Sequence, residues 1–154
     1  MKKILVIALA IIALFALTAC GGEKAVAIDT AALVSELQGN AIFVDQFQPQ
    51  DEVALSALVK LDTSLISEFT YAVGTGYTGE EYGVFLCNSK ADAESLKAQL
   101  EAHVESQYAL YESYAVDALP RIGNAVIMQK GSYVCIVCAE DYNGARVLVE
   151  KYFG

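Results

Sequence analysis

The chain has 154 residues and carries 10 Lys and Arg against 19 Asp and Glu, a formal charge of −9. A surplus of that sign sets nucleic acid aside as a partner, because phosphate recognition is built on Lys and Arg. It also weighs against docking on anionic lipid by charge, while the length is enough for one domain with a real core.

Lys2 and Lys3 precede Ile4 to Leu17, a run of 14 residues without a polar side chain. That length suits the apolar core of a signal peptide and falls short of the ~20 residues a spanning helix needs. Leu17-Thr18-Ala19-Cys20 has the form of a bacterial lipobox, with Gly21-Gly22 after it. The expectation is a signal peptide over 1–19, cleavage before Cys20, and a diacylglyceryl group on the Cys20 thiol. An uncleaved membrane helix with an incidental cysteine is the competing reading. Two acyl chains meet the two-signal requirement for stable anchoring. Cleavage removes Lys2 and Lys3 and leaves 8 basic against 19 acidic residues, a charge of −11. The tether, residues 20–28, is short: eight residues from Gly21 reach roughly 26 Å extended and roughly 16 Å as a coil. The domain would therefore work close to the lipid surface.

Residues 29–154 read as a single domain. Asp29 is placed to cap a helix whose apolar Leu33, Val34 and Leu37 recur at helical spacing, and Gly39-Asn40 ends it. AIFV (41–44) predicts a short strand. Pro49 to Glu52 forms a break, and Val53 to Leu61 a short amphipathic segment. EFTYAVG (68–74) and EYGVFLC (81–87) predict strands around a glycine-rich turn. A long helix, capped at Asn88 or Ser89, carries Ala93, Leu96, Leu100, Val104, Tyr108 and Tyr111 along one side. Pro120 and Gly123 mark the way out. NAVIMQ (124–129) and YVCIVCA (133–139) flank the turn Lys130-Gly131-Ser132, and 143–153 closes the chain as a helix. Residues 69–113 and 124–153 thus share one plan of strand, turn, strand, helix, which leaves open a duplication. The expected class is α+β: an antiparallel sheet built from these two units, with helices packed mainly on one face.

In order and spacing, LTACGG, IDTAALVSELQG, GTGYTGEEYGVFLCNSKADAESLKAQL and NAVIMQKGSYVCIVCAEDYNGARVLVEKYF form a pattern over the mature chain. It resembles the small clostridial-type lipoproteins grouped as domain of unknown function 4358. The chain departs from that pattern at Gly83, where members often carry an aliphatic residue, and in its cysteine pair. The resemblance implies a lipid-anchored domain on the outer face of the bacterial cytoplasmic membrane and implies no activity, substrate or catalytic residue.

Most motifs have a plain structural reading. GTGYTG (74–79) fits G-x-G-x-x-G but lies between two strands, so it predicts a hairpin loop and not a dinucleotide site. Cys135 and Cys138 sit three apart on a strand and face opposite sides, so they predict buried thiols; a cross-strand disulfide from Cys87 to one of them is the alternative. His103 is the only histidine, lies beside the apolar stripe of the long helix, and predicts a structural role. No metal or other cofactor is expected. Asp141-Tyr142-Asn143-Gly144 predicts a helix-capping turn. Glu80-Glu81 and Asp51-Glu52 are adjacent carboxylates, whereas acid–base hydrolysis needs two facing across a cleft. Nine tyrosines and no tryptophan draw attention to Tyr108, Tyr111 and Tyr114, a candidate interaction strip or padding between helix and sheet. The functional expectation is a non-catalytic module that binds an envelope protein, with a small-ligand or wall-fragment binder as the alternative and a hydrolase behind both.

Overall fold

The computed structural model describes residues 26–154; the expected signal peptide over 1–19, the expected lipidation site Cys20 and most of the expected tether lie outside the described residues. Helix α1 (Thr30–Gly39) opens at Asp29, whose carboxylate accepts the Ala32 N–H at 2.9 Å. The expected strand at 41–44 does not form. Its backbone is used elsewhere: the Ile42 carbonyl accepts the Asp141 N–H at 3.0 Å, and the Val44 and Asp45 N–H groups donate to the Glu80 side chain at 3.0 and 2.8 Å. The sheet edge is instead β1 (Gln48–Pro49), a position where a proline without an N–H is tolerated. Helix α2 (Glu52–Ala54), capped by Asp51, widens into a π-turn over Leu55–Val59.

Strands β2 (Ile66–Val73) and β3 (Glu81–Cys87) form the first hairpin, followed by helix α3 (Lys90–Tyr111), which the Ser89 hydroxyl caps. Helix α4 (Leu119–Gly123) occupies the segment read as an exit; Pro120 sits in its first turn, where a missing N–H costs nothing. Strands β4 (Val126–Lys130) and β5 (Tyr133–Cys138) make the second hairpin, and α5 (Tyr142–Phe153) ends the chain from its Asp141 cap. β3 pairs with β5, which gives one antiparallel sheet of order β1-β2-β3-β5-β4. The α+β class and the two strand-turn-strand-helix units stand. Among the described residues no helix is long and apolar enough to cross a membrane.

The layering differs from expectation, because helices cover both faces of the sheet. Leu96 and Leu100 of α3, with Leu55 and Val59, pack on Tyr71, Phe85, Val134 and Ile136. Leu33 and Leu37 of α1 and Leu148 and Val149 of α5 pack on Val84, Val126, Cys135 and Val137. The cause is the central pair. Val134 to Val137 are all buried, so β5 is apolar on both sides and needs two covers. The same arrangement decides the duplication. A two-fold relating two hairpins through an antiparallel β3–β5 pair runs along the sheet normal and would send α3 and α5 to one face. They lie on opposite faces, so the units share a plan without that symmetry.

Cys87, Cys135 and Cys138 are free and buried. Cys138 pairs with Glu81 at the start of β3, while Cys87 ends that strand, roughly 20 Å away at ~3.4 Å per residue. Cys135 faces the other side of the sheet. The alternative disulfide is therefore not made.

Candidate functional site

The hairpin loop 74–80 and the C-terminal half of α3 meet at one end of the sheet. Gly76 and Gly79 take positive φ of 91° and 68°, which glycine adopts at little cost. At Gly79 a Cβ would also lie 2.7 Å from Ile122 Cδ1, so this position is closed to side chains twice over. Asp45 holds the loop from outside: its Oδ2 accepts the Thr75 N–H at 2.8 Å and the Thr75 and Thr78 hydroxyls at 2.9 and 2.6 Å. Burial pushes the Asp45 carboxyl up, but these donors outweigh it and hold the group below its ordinary value. From the helix side, Tyr111 donates its hydroxyl to the Gly76 carbonyl at 2.8 Å.

Inside this frame lies a buried polar cluster. Strand alternation turns Glu81 toward α3, on the face that holds Tyr71 and Phe85. His103 lies one helical turn beyond Leu100 on the packed side of α3, and its Nε2 is 3.1 Å from both Glu81 carboxylate oxygens. Tyr71 donates its hydroxyl to Glu81 Oε2, and the Cys138 thiol donates to Oε1 at 3.5 Å. Burial alone would raise the Glu81 carboxyl. The His103 hydrogen bond and charge, with the Tyr71 and Cys138 donors, prevail and hold it below the usual glutamate range. Tyr71 answers in the opposite sense: burial, then the Glu81 charge, drives its phenol far above normal.

Above the cluster is a half-open pocket of about 160 Å3. Tyr71, Glu81 and His103 form its floor, Gln107 and Tyr111 continue the α3 wall, the glycine loop closes one side, and Leu58 and Val59 the other. The carboxylate accepts from His103 Nε2, so that nitrogen carries a proton. Nδ1 bonds to no other described residue, and Arg121 Nε is the only sealed side-chain nitrogen or oxygen without a partner among the described residues.

Glu80 turns the other way and serves the frame. It accepts the Val44 and Asp45 N–H groups and that of Glu140, the last at 2.8 Å. Arg121 lies between Glu80, at 4.0 Å, and Glu140, with which it makes a closer ion pair. Among the described residues no group of three or more His, Cys, Asp or Glu side chains is placed to hold a metal ion.

The tyrosine strip is divided. Tyr111 is 5% exposed and packs with Ala118 and Ile122, so it belongs to the wall and not to a surface. Tyr114 is 53% exposed, with its ring 4.8 Å from that of Tyr111, and Tyr108 is partly exposed over Gly123. Sequence reasoning missed the link between Glu81, His103 and Tyr71. A signal was present: Glu81 falls on the same alternating face as Phe85, and His103 falls in the helical stripe with Leu96 and Leu100.

An α+β domain with this hairpin pair, and with a carboxylate–imidazole pair beneath a small pocket, is the class of protein described. The chain belongs to the family described as domain of unknown function (DUF4358), whose model matches residues 43–139, more than half of the chain. No curated protein and no solved structure matches it. The matched span contains Tyr71, Glu81, His103 and Cys138, and leaves α1 and α5 outside.

Proposed function

We propose that this chain is a lipid-anchored extracytoplasmic binding module. It is held on the outer face of the bacterial cytoplasmic membrane by a diacylglyceryl group on Cys20 and engages an envelope protein through the mouth of the α3 pocket. The observation that carries the reading is the rim. Leu58 is 71% exposed, Tyr77 at the loop tip 78%, and Tyr114 beside the same loop 53%. Large side chains with few rotatable bonds, grouped around a concavity, supply contact area at low entropy cost. The short tether keeps this rim near the membrane, where an envelope partner would meet it.

The test is cross-linking in intact cells, comparing the native protein with a secreted form lacking Cys20 and with Leu58→Asp and Tyr77→Ala variants. A membrane protein captured by the anchored form and lost in the rim variants supports the module. Capture that ignores the rim, or capture of background alone, overturns it. A second reading, a small-ligand or wall-fragment binder, is favoured by the half-open pocket that His103, Gln107 and Tyr111 line above the buried Glu81.

A further inference from the structure

We propose that the outer edge of β4 takes an extended segment of a partner polypeptide as a sixth strand, with apolar side chains turned toward α3 and a carboxylate toward α5. This site is separate from the pocket described above, whose strand residues lie on β2 and β3.

The phase of the backbone hydrogen bonds is the first argument. The Cys87 N–H donates to the Ser132 carbonyl at 2.8 Å, which turns Ser132, and by alternation Val134 and Ile136, toward β3. Tyr133, Cys135 and Val137 therefore turn toward β4, where they face Lys130, Met128 and Val126. The N–H and C=O groups of Ile127 and Gln129 are left pointing out of the sheet. The Gly131-Ser132 turn agrees, since it is a two-residue loop closed by the Lys130–Tyr133 pair, with a positive φ of 58° at Gly131. β4 pairs with β5 alone, and no turn, cap or side chain among the described residues bonds these four outward groups. Donors and acceptors that alternate at strand spacing are matched by another strand's backbone.

The two edges of the sheet differ in their protection. β1 is two residues long and contains Pro49, which blunts it. β4 has five residues, no proline and no register shift. Its one charged side chain, Lys130, is turned back onto the Tyr152 and Gly154 carbonyls. An edge of this kind is a template for pairing.

A groove of about 270 Å3 lies beside this edge, between helices of both faces. Glu101 and Val104 of α3, Ile122 of α4 and Arg146 of α5 line it with Ile127. A lone strand enters such a groove between the helices, whereas a second copy of the chain would bring its own α3 and α5 against them. Alternation sends every second side chain of the added strand to each helix. On the α3 side these meet Val104, Ile122 and Ile127, which suit Val or Ile. The Glu101 carboxylate is already engaged by Lys97 at 3.3 Å. On the α5 side they meet Arg146, which is exposed and whose guanidinium makes no ion pair or hydrogen bond to another described residue. A chain with 19 acidic residues leaves this guanidinium without a carboxylate, and a partner's Asp or Glu fits it.

Amide hydrogen exchange tests the edge, read by NMR on the full-length protein in detergent with and without acetyl-Thr-Val-Asp-Val-Thr-Val-amide. In the free protein Ile127 and Gln129 should exchange faster than Val126, Met128 and Lys130. The peptide is expected to slow Ile127 and Gln129 saturably, by about tenfold or more. The same peptide methylated on every backbone nitrogen should have no effect. Exchange of its Asp for Lys should weaken binding by about twofold to fivefold, the worth of an exposed ion pair, and Arg146→Glu should reverse that preference. No slowing, or equal slowing by the methylated peptide, overturns the proposal. Ile127 and Gln129 amides already slow in the free monomer mean a covered edge and overturn it too. Slowing that grows with protein concentration alone, with a dimer in sedimentation, gives the edge to a second copy and overturns the partner strand. An unreversed preference in the Arg146→Glu protein removes the carboxylate. The rim reading fails separately: rim-dependent capture without an exchange response removes this inference alone, and an exchange response without such capture leaves it standing.

Discussion

Glu80 and Glu81 are consecutive in the chain and share no hydrogen-bond partner. Glu80 gathers three backbone N–H groups from Val44, Asp45 and Glu140, and so ties the segment after α1 and the start of α5 to the hairpin loop. Glu81 turns to the opposite side and gathers three side chains, Tyr71, His103 and Cys138. One carboxylate builds the frame and its neighbour builds the floor of the pocket.

Glu80→Ala is expected to destabilise the fold by about 2 kcal/mol, since three part-buried N–H groups lose their acceptor and recover part of that from water. Glu80→Gln keeps one acceptor oxygen and should lose about half as much. Urea unfolding checks this through the midpoint at constant slope. A loss no larger than that of an ordinary surface substitution would sink the assignment of Glu80 as the frame.

Glu81 makes stability depend on acid. Its folded pKa is lowered from the model-peptide value of 4.5, so its contribution is fully present above that value and is lost as pH falls through the folded one. Wild type and Glu81→Gln should therefore converge in stability as pH falls below 4.5 and through the lowered folded value. The acid limb of the variant stays, only shallower, because Asp45 and Glu36 are also held down, Glu36 chiefly by the Lys151 hydrogen bond. Parallel stability curves for the two proteins would contradict the pairing.

The hairpins were legible because period-two alternation and turn glycines are local signals, and the capping residues Asp29, Ser89 and Asp141 are local too. Segment 41–44 was not, since what removes it from the sheet is the carboxylate of Glu80, distant in sequence. The covering of both faces was half legible: Val134 to Val137 run apolar without a break, which marks a strand buried on two sides. The site was the least legible. Tyr71, Glu81 and His103 meet only through the β2–β3 register and the way α3 crosses the sheet, and neither is written in a local pattern.

Gly83 is expected to resist substitution for a reason unrelated to backbone freedom. It pairs with Tyr71 across β2, and a Cβ there would lie 2.7 Å from Tyr71 Cδ2 and 2.6 Å from Phe85 Cε2. Both rings are buried and cannot swing away. Gly83→Ala should cost about 1–3 kcal/mol by overpacking, against the ~0.5–1 kcal/mol an alanine normally gains over glycine in a strand. The same variant should shift the His103 ring resonances, because Tyr71 donates to the carboxylate that His103 faces. An unchanged His103 spectrum would mean that Tyr71 and His103 are not coupled through Glu81.

The thiols give a count that bears on both fold and anchor. Burial raises Cys135 and Cys138 well above the ordinary thiol value, and the Glu81 charge adds to it at Cys138; Cys87 is raised to about 11, by burial and then by Asp92. The nucleophile is the thiolate, so Cys87, Cys135 and Cys138 should be inert to Ellman's reagent at neutral pH in the native state and react on unfolding. Because these values are raised, the stability they report is present below the ordinary thiol value and fails as pH climbs through the folded ones, Cys87 first. The chain contains four cysteines. Protein extracted from membranes should release three thiols in urea if a diacylglyceryl group blocks Cys20, whereas protein made without lipidation should release all four. Four thiols from the membrane-extracted form would remove the anchor, and rapid native labelling of Cys138 would show that the Glu81 cluster opens.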